Sequence, residues 1–166
     1  LLTLGDTAYK FDVSAIFYIK RARINKNDFE ESAELFKQIL RRNHAHCIIK
    51  ALLDAEALLG IVKPLEHASH LAEFDGYHKF TVGEHCVLSV KFAENIKDKF
   101  VKSLYDELCI EGRTLLKLAL LLHDAGKGLG GDHEVVGSNI FRAYAAKLNL
   151  SQKAVNIGVT LVRYHT

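Results

Sequence analysis

The chain of 166 residues has no methionine, one proline and three cysteines. With Pro64 as its single helix breaker and few alternating apolar segments, it reads as mostly helical. Cys47, Cys86 and Cys109 are odd in number and lack paired spacing. They are expected to be free thiols, mainly core fillers, in a reducing and therefore cytoplasmic compartment. No apolar run approaches the about 20 residues of a membrane span. The leucines around Leu118–Leu122 are interrupted by Lys117, and the N-terminus lacks the plan of a signal peptide. The formal net charge of +2 gives no support to nucleic acid or a membrane surface as a partner. A start at Leu1 and a stop at Thr166, just after a helical pattern, read as a piece of a larger protein.

What is present is an ordinary soluble composition, 49% hydrophobic and 25% charged. The length suffices for one core plus a helical appendage. Helices are expected over 28–41, capped by Asn27 or Asp28 with Leu35, Ile39 and Leu40 on one face, and over 44–59, ended by Gly60. A loop follows from Pro64 to about Lys79. Thr81 and Glu84 form a capping box for a helix reaching about Ile96. After a polar stretch comes a helix of about 112–123, apolar on nearly every side and so central and buried. Asp132 and Ser151 cap helices reaching about Lys147 and Tyr164. Residues 12–19 are open between a short helix and a strand.

The chemistry concentrates where the leucine helix ends: Leu122-His123-Asp124-Ala125-Gly126-Lys127-Gly128. Burying an imidazole and a carboxylate is costly unless they are paired or bind a metal. On helical spacing His85 shares a face with Leu88, Phe92 and Ile96. His133 shares one with Val136, Gly137, Ile140 and Tyr144, and His165 continues the stripe of Ala154, Gly158, Leu161 and Val162. One such histidine is more often a hydrogen-bonded core residue than a ligand. Four of them, one with an adjacent Asp, point to a metal site. Neutral imidazoles with a carboxylate suit Mn, Fe, Co, Ni or Zn, with Mg allowed, as one or two ions. Lys127 stands beside the pair as a phosphate-binding cation.

Other polar residues have plainer readings. His44 and His46 face different ways and are expected on the surface; His67 and His70 lie in the loop after Pro64 without a metal. Arg142 and Lys147 read as a solvated face, Tyr144 as core, and Thr81 with Glu84 as a cap rather than acid/base groups. His78 and Lys79 either contact substrate or only shape their loop.

His85, the His123-Asp124 pair and the trailing Gly126-Lys127 resemble the HD superfamily of metal-dependent phosphohydrolases. The segments Gly76–His85, Leu122–His133 and Leu161–His165, with Leu59–Pro64 as lead-in, look most like the HD domain of the bifunctional uridylyltransferase/uridylyl-removing family of bacterial nitrogen regulation. The resemblance covers about residues 30–166. It implies an all-α HD helical bundle over 61–166, truncated at its C-terminus, with a mostly helical extension over 1–60. It implies His85, His123, Asp124, His133 and His165 as ligands of a divalent metal, Asp124 able to bridge two ions, and Asp124 and Lys127 as catalytic residues. The HD pattern ends with a further aspartate that no residue here supplies, which the resemblance places beyond Thr166. The implied reaction is metal-dependent removal of UMP from a tyrosine of the PII signalling protein. Two alternatives stand beside it: an HD phosphohydrolase of a free nucleotide or cyclic phosphate, and a non-catalytic HD sensing module.

Overall fold

The structure is a computed structural model that describes residues 4–22, 29–72 and 80–165. Among the described residues it is helical, with no strand; a lone antiparallel bridge joins Ala72 to Thr81. In chain order the helices are α1 (Val13–Arg21), α2 (Phe29–Leu40), α3 (Ala45–Asp54), α4 (Leu58–Ile61), α5 (Val82–Glu94), α6 (Lys99–Glu107), α7 (Ile110–Leu122), α8 (His133–Lys147) and α9 (Gln152–Arg163). A 3-10 turn over Lys63–Leu65 follows α4.

The caps fall where short-range chemistry puts them. Thr81 Oγ1 accepts from the Glu84 N–H at 3.3 Å, and the Thr81 N–H donates to Glu84 Oε2 at 3.0 Å, closing the capping box on α5. Asp132 accepts from the N–H groups of Glu134 and Val135 to start α8, and Ser151 accepts from Ala154 to start α9. Asp12 caps α1 in the same way, which resolves residues 12–19 as a helix. The Asn27 and Asp28 caps expected for α2, and the substrate candidates His78 and Lys79, lie outside the described residues.

Three expectations change. The helix over 44–59 stops at Asp54, because Glu56 takes φ +59° and the Ala57 and Glu56 N–H groups turn back to Leu52 and Leu53. That is a Schellman stop, and it leaves Gly60 inside the short α4. The polar stretch before the leucine helix is itself a helix, α6, capped by Asp98; it buries no residue, so burial periodicity gave no sign of it. On α2 the buried face is Ala33, Phe36, Ile39 and Leu40, while Leu35 is exposed.

The core sits around α7, which buries Leu115, Leu118, Ala119, Leu121 and Leu122. Each fully buried leucine contributes about 1.5–3 kcal/mol relative to exposure. α5 packs between α3 and α7, α9 packs on α7, and α8 pairs with α9. Residues of α2 and α3 join the same cluster as those of α5 and α7–α9, so they share one core. Gly158 makes the α8–α9 approach possible: a Cβ there would sit 2.2 Å from the Phe141 ring. The Tyr144 hydroxyl donates to the Ile61 carbonyl at 3.2 Å from within the core.

One polar knot is buried with the leucines. The Glu94 side chain, at the end of α5, has no exposure; Lys117 from the middle of α7 has 2% and lies 2.7 Å from it. Glu94 also accepts from the N–H groups of Ala45 and His46, so it caps the α3 N-terminus, where His44 supplies no side-chain cap. The His46 ring bonds the same carboxylate and is largely buried, against the surface placement expected for it. The Lys117 ammonium donates onward to the Arg42 carbonyl. Burial works to raise the Glu94 pKa, but His46 and Lys117 outweigh it and hold the carboxyl below its ordinary 4.5.

A depressed folded pKa means stability present above the ordinary carboxylate value and lost as pH falls through the folded one. Glu94→Gln strands the buried Lys117 charge and should cost about 3–5 kcal/mol at neutral pH. That deficit should shrink as pH falls below the ordinary carboxylate value and the wild-type carboxyl is protonated. Denaturant unfolding of both proteins across this range checks it; a constant deficit would mean that the charge of Glu94 is irrelevant.

Candidate metal centre

The centre forms where four helix segments converge on one carboxylate. Asp124 lies in the turn after α7 and is 2% exposed. His123 precedes it as the α7 C-cap, His85 sits one turn into α5, His133 opens α8, and His165 follows the end of α9. The Asp124 oxygens divide these neighbours. Oδ2 faces His123 Nε2 at 3.3 Å, His85 Nε2 at 3.6 Å and Lys127 Nζ at 3.0 Å. Oδ1 faces His165 Nε2 at 3.5 Å and His133 Nε2 at 4.0 Å. All five expected ligands are therefore brought together, with Lys127 at their edge.

The imidazoles are oriented from behind. His123 Nδ1 lies 2.7 Å from the Leu120 carbonyl and His165 Nδ1 lies 2.8 Å from that of Val162. A carbonyl only accepts, so each Nδ1 carries a proton, and each Nε2 is the nitrogen that faces Asp124 and would serve a metal once it gives up its own proton. His85 and His123 bring their Nε2 atoms within 3.1 Å. His133 Nε2 is buried and has no hydrogen-bond partner, a cost that a bound cation would remove. The donors fall into two groups that share Asp124: His85, His123 and Asp124, and Asp124, His133 and His165. Within each group the donor atoms lie within 4.8 Å of one another. Each group could hold a metal ion, and the shared carboxylate could bridge two.

Charge follows from the same neighbours. Burial disfavours an ionised Asp124, but His123, His85 and His165 overcome it, so its carboxyl stays below the ordinary range. Burial likewise opposes protonation of His123, yet the adjacent Asp124 and Cys86 side chains push its pKa up to about 10. Burial lowers the Lys127 pKa below 10.5. A cation entering such a site displaces a proton, so metal and proton compete for the same imidazole.

The stripe shared by His85, Leu88, Phe92 and Ile96 proves not to be the core face of α5. That helix buries Val82, Cys86, Val87 and Val90, and Phe92 is 64% exposed. His85 nonetheless reaches the centre, 3.6 Å from Asp124, with its side chain one-third exposed. Two neighbours lacked a sequence signal of their own: Cys86, buried beside His123, and Arg163, whose Nη1 lies 3.8 Å from Asp132. His67 and His70 are exposed in a turn, outside both donor groups.

This convergence of His85, the His123-Asp124 pair, His133 and His165 on the end of a buried helix agrees with what comparison shows. Residues 82–166 match the HD domain family. The chain belongs to that family. It is similar to bifunctional uridylyltransferase/uridylyl-removing enzymes: 32% identical to that of Ruegeria pomeroyi over 84% of the chain and 16% of the relative. It is 25% identical to that of Bradyrhizobium diazoefficiens over 93% of the chain and 17% of the relative. It is 28% identical to that of Azospirillum brasilense over 81% and 15%. The chain thus spans about a sixth of the length of these curated relatives. No solved structure matches it. Family and relatives together support a metal-dependent phosphohydrolase. No helix among the described residues is long and apolar enough to cross a membrane.

Gly126 sets how closely the Asp124 turn lies on α8. A Cβ there would stand 2.1 Å from the His133 carbonyl oxygen and 2.6 Å from the Gly137 nitrogen, both backbone atoms. Gly126→Ala should therefore push the turn off α8 at a cost of about 1–3 kcal/mol or more. Thermal unfolding of the variant measures this, and an unchanged midpoint would show that the approach is loose.

Proposed function

We propose that His85, His123, Asp124, His133 and His165 bind one or two divalent transition-metal ions for phosphodiester hydrolysis, and that the substrate is a uridylylated PII-type signalling protein. The observation that carries the hydrolytic reading is the Asp124 carboxylate, which offers one oxygen to His85 and His123 and the other to His133 and His165. The uridylyl-removing reaction follows the names of the relatives, and the PII-type substrate follows the family resemblance of the motifs. On this reading residues 61–166 are the hydrolytic domain, residues 1–60 an extension on the same core, and the cytoplasm its setting. Four imidazoles and a single carboxylate favour Mn, Fe, Co, Ni or Zn over Mg.

Bound metal supplies Lewis acidity and lowers the pKa of water enough to furnish a nucleophile at neutral pH. The residues do the rest. The backbone carbonyls of Leu120 and Val162 hold His123 and His165 in the tautomer that presents Nε2. Asp124 stays ionised and fixes the relation between the two donor groups. Lys127 places an ammonium beside them, where it offsets charge growing on the phosphoryl oxygens. A tyrosine leaving group, with a pKa of about 10, needs little acid assistance.

Asp124→Ala should abolish retention of transition metal and hydrolysis of bis-p-nitrophenyl phosphate with added Mn, while circular dichroism remains helical. Retained metal with unchanged turnover would refute the ligand assignment. Lys127→Ala should keep the metal and lower turnover by about tenfold or more, as expected on loss of one electrostatic contact to the transition state. Metal loss in that variant would make Lys127 structural. The substrate is tested separately, by release of UMP from a uridylylated PII-type protein; hydrolysis of the small diester without that release would leave the centre intact and remove PII.

A further inference from the structure

A second concave site lies on the α3 side of α5, away from the metal centre. The segment ahead of α1 and α1 itself lean on α3 and α5 without burying a single α1 residue, and the imperfect fit leaves a cleft of about 360 Å³. That volume falls within the roughly 300–1,000 Å³ range of small-molecule sites. The lining is mostly apolar, with Phe11, Phe80, Val87 and Leu88 among its walls. Three lysines also border it: Lys10, Lys50 and Lys91.

The charges around the cleft do not cancel locally. Lys50 is paired with Asp54, and Glu84 accepts from Thr81 while keeping its charge, so three lysines face two carboxylates around the lining. Lys10 and Lys91 are exposed at the rim, and neither has an ion-pair partner among the described residues. An apolar hollow whose charged lining is net positive, with Lys10 and Lys91 outside any ion pair among the described residues, suits a ligand with a greasy body and an anionic head. A neutral ligand would gain nothing from the ammoniums, and a strongly polar one would lose its hydration against the aromatic walls.

We propose that this cleft binds a small apolar carboxylate, an acyl or aryl acid whose body lies against Phe11, Phe80, Val87 and Leu88 and whose carboxylate meets Lys10 and Lys91. The site is independent of the hydrolytic reading, because none of the five metal-centre residues lines it. It shares a helix with the centre: Glu84, Val87, Leu88 and Lys91 belong to α5, which also carries His85.

The test uses the full chain with the fluorescent aryl anion 8-anilinonaphthalene-1-sulfonate as reporter. Decanoate and decanol, which share an alkyl body and differ in charge, serve as competitors. Decanoate should displace the reporter, with decanol about tenfold weaker or worse. The double variant K10Q/K91Q should bind decanoate about tenfold more weakly, the effect of losing roughly 1.4 kcal/mol of charge attraction. Both lysines are exposed, so the fold should survive, and unchanged circular dichroism verifies that. Failure of decanoate to displace the reporter, equal displacement by decanol, or unaltered decanoate affinity in the double variant would each overturn the proposal.

Discussion

A single buried carboxylate dictates the arrangement of half the chain. Asp124 is almost fully enclosed, and an isolated ionised carboxylate in such a place would cost several kcal/mol. The bundle meets that cost by bringing four imidazoles and one ammonium to it from α5, the α7 turn, the α8 start and the α9 end. None of these groups can be moved without moving a helix end. The His123 ring is fixed by a carbonyl of α7 and the His165 ring by one of α9, so the orientation of the donors is written into backbone that the leucine core already holds. What the arrangement still lacks is counted in lone pairs. His133 Nε2 has no hydrogen-bond partner, and the His85 and His123 nitrogens crowd each other. Cations held by the two donor groups would answer all three, which is why the metal reading is stronger than any one histidine could make it.

Glu94 plays the complementary part in the scaffold. It ties three helices through one carboxylate: its own α5, the N–H groups opening α3, and Lys117 of α7. The consequence reaches the metal centre. α5 and α7 supply His85, His123 and Asp124, and the Glu94–Lys117 pair pins those two helices at a distance along their length from the site. A hydrophobic contact would hold them together as strongly. A hydrogen-bonded charge pair also fixes their register, because a sliding helix would strand a charge.

Local chemistry was readable and long-range geometry only partly so. Thr81, Asp132 and Ser151 start their helices where the sequence predicts, because a cap is decided within three residues. The convergence of His85, His123, Asp124, His133 and His165 was readable from helical spacing, although His85 does not lie on the core face of α5. Glu56 was not readable as a helix stop, since left-handed backbone at a glutamate has no compositional sign. α6 was missed because it buries nothing, and the Asp98 cap with Phe100 and Leu104 four apart was the available clue. Lys117 looked like an interruption in a leucine run. Its partner lies 23 positions away on another helix (117 − 94), and no pattern within α7 could name it.

The two polar knots and the glycine at position 126 belong to one design constraint. A carboxylate that serves two donor groups must be buried enough to feel its neighbours strongly and close enough to a second helix to share them. The turn after α7 achieves this by lying directly on the α8 backbone, in space that any side chain at Gly126 would occupy. That contact brings His133 to within 4.0 Å of the Oδ1 face while His85 and His123 hold the other. Were the turn to stand off α8 by the thickness of one methyl group, Asp124 could still serve the α5–α7 pair but not the α8–α9 pair. The capacity to bridge two donor groups therefore depends on backbone packing rather than on the identity of the ligands alone.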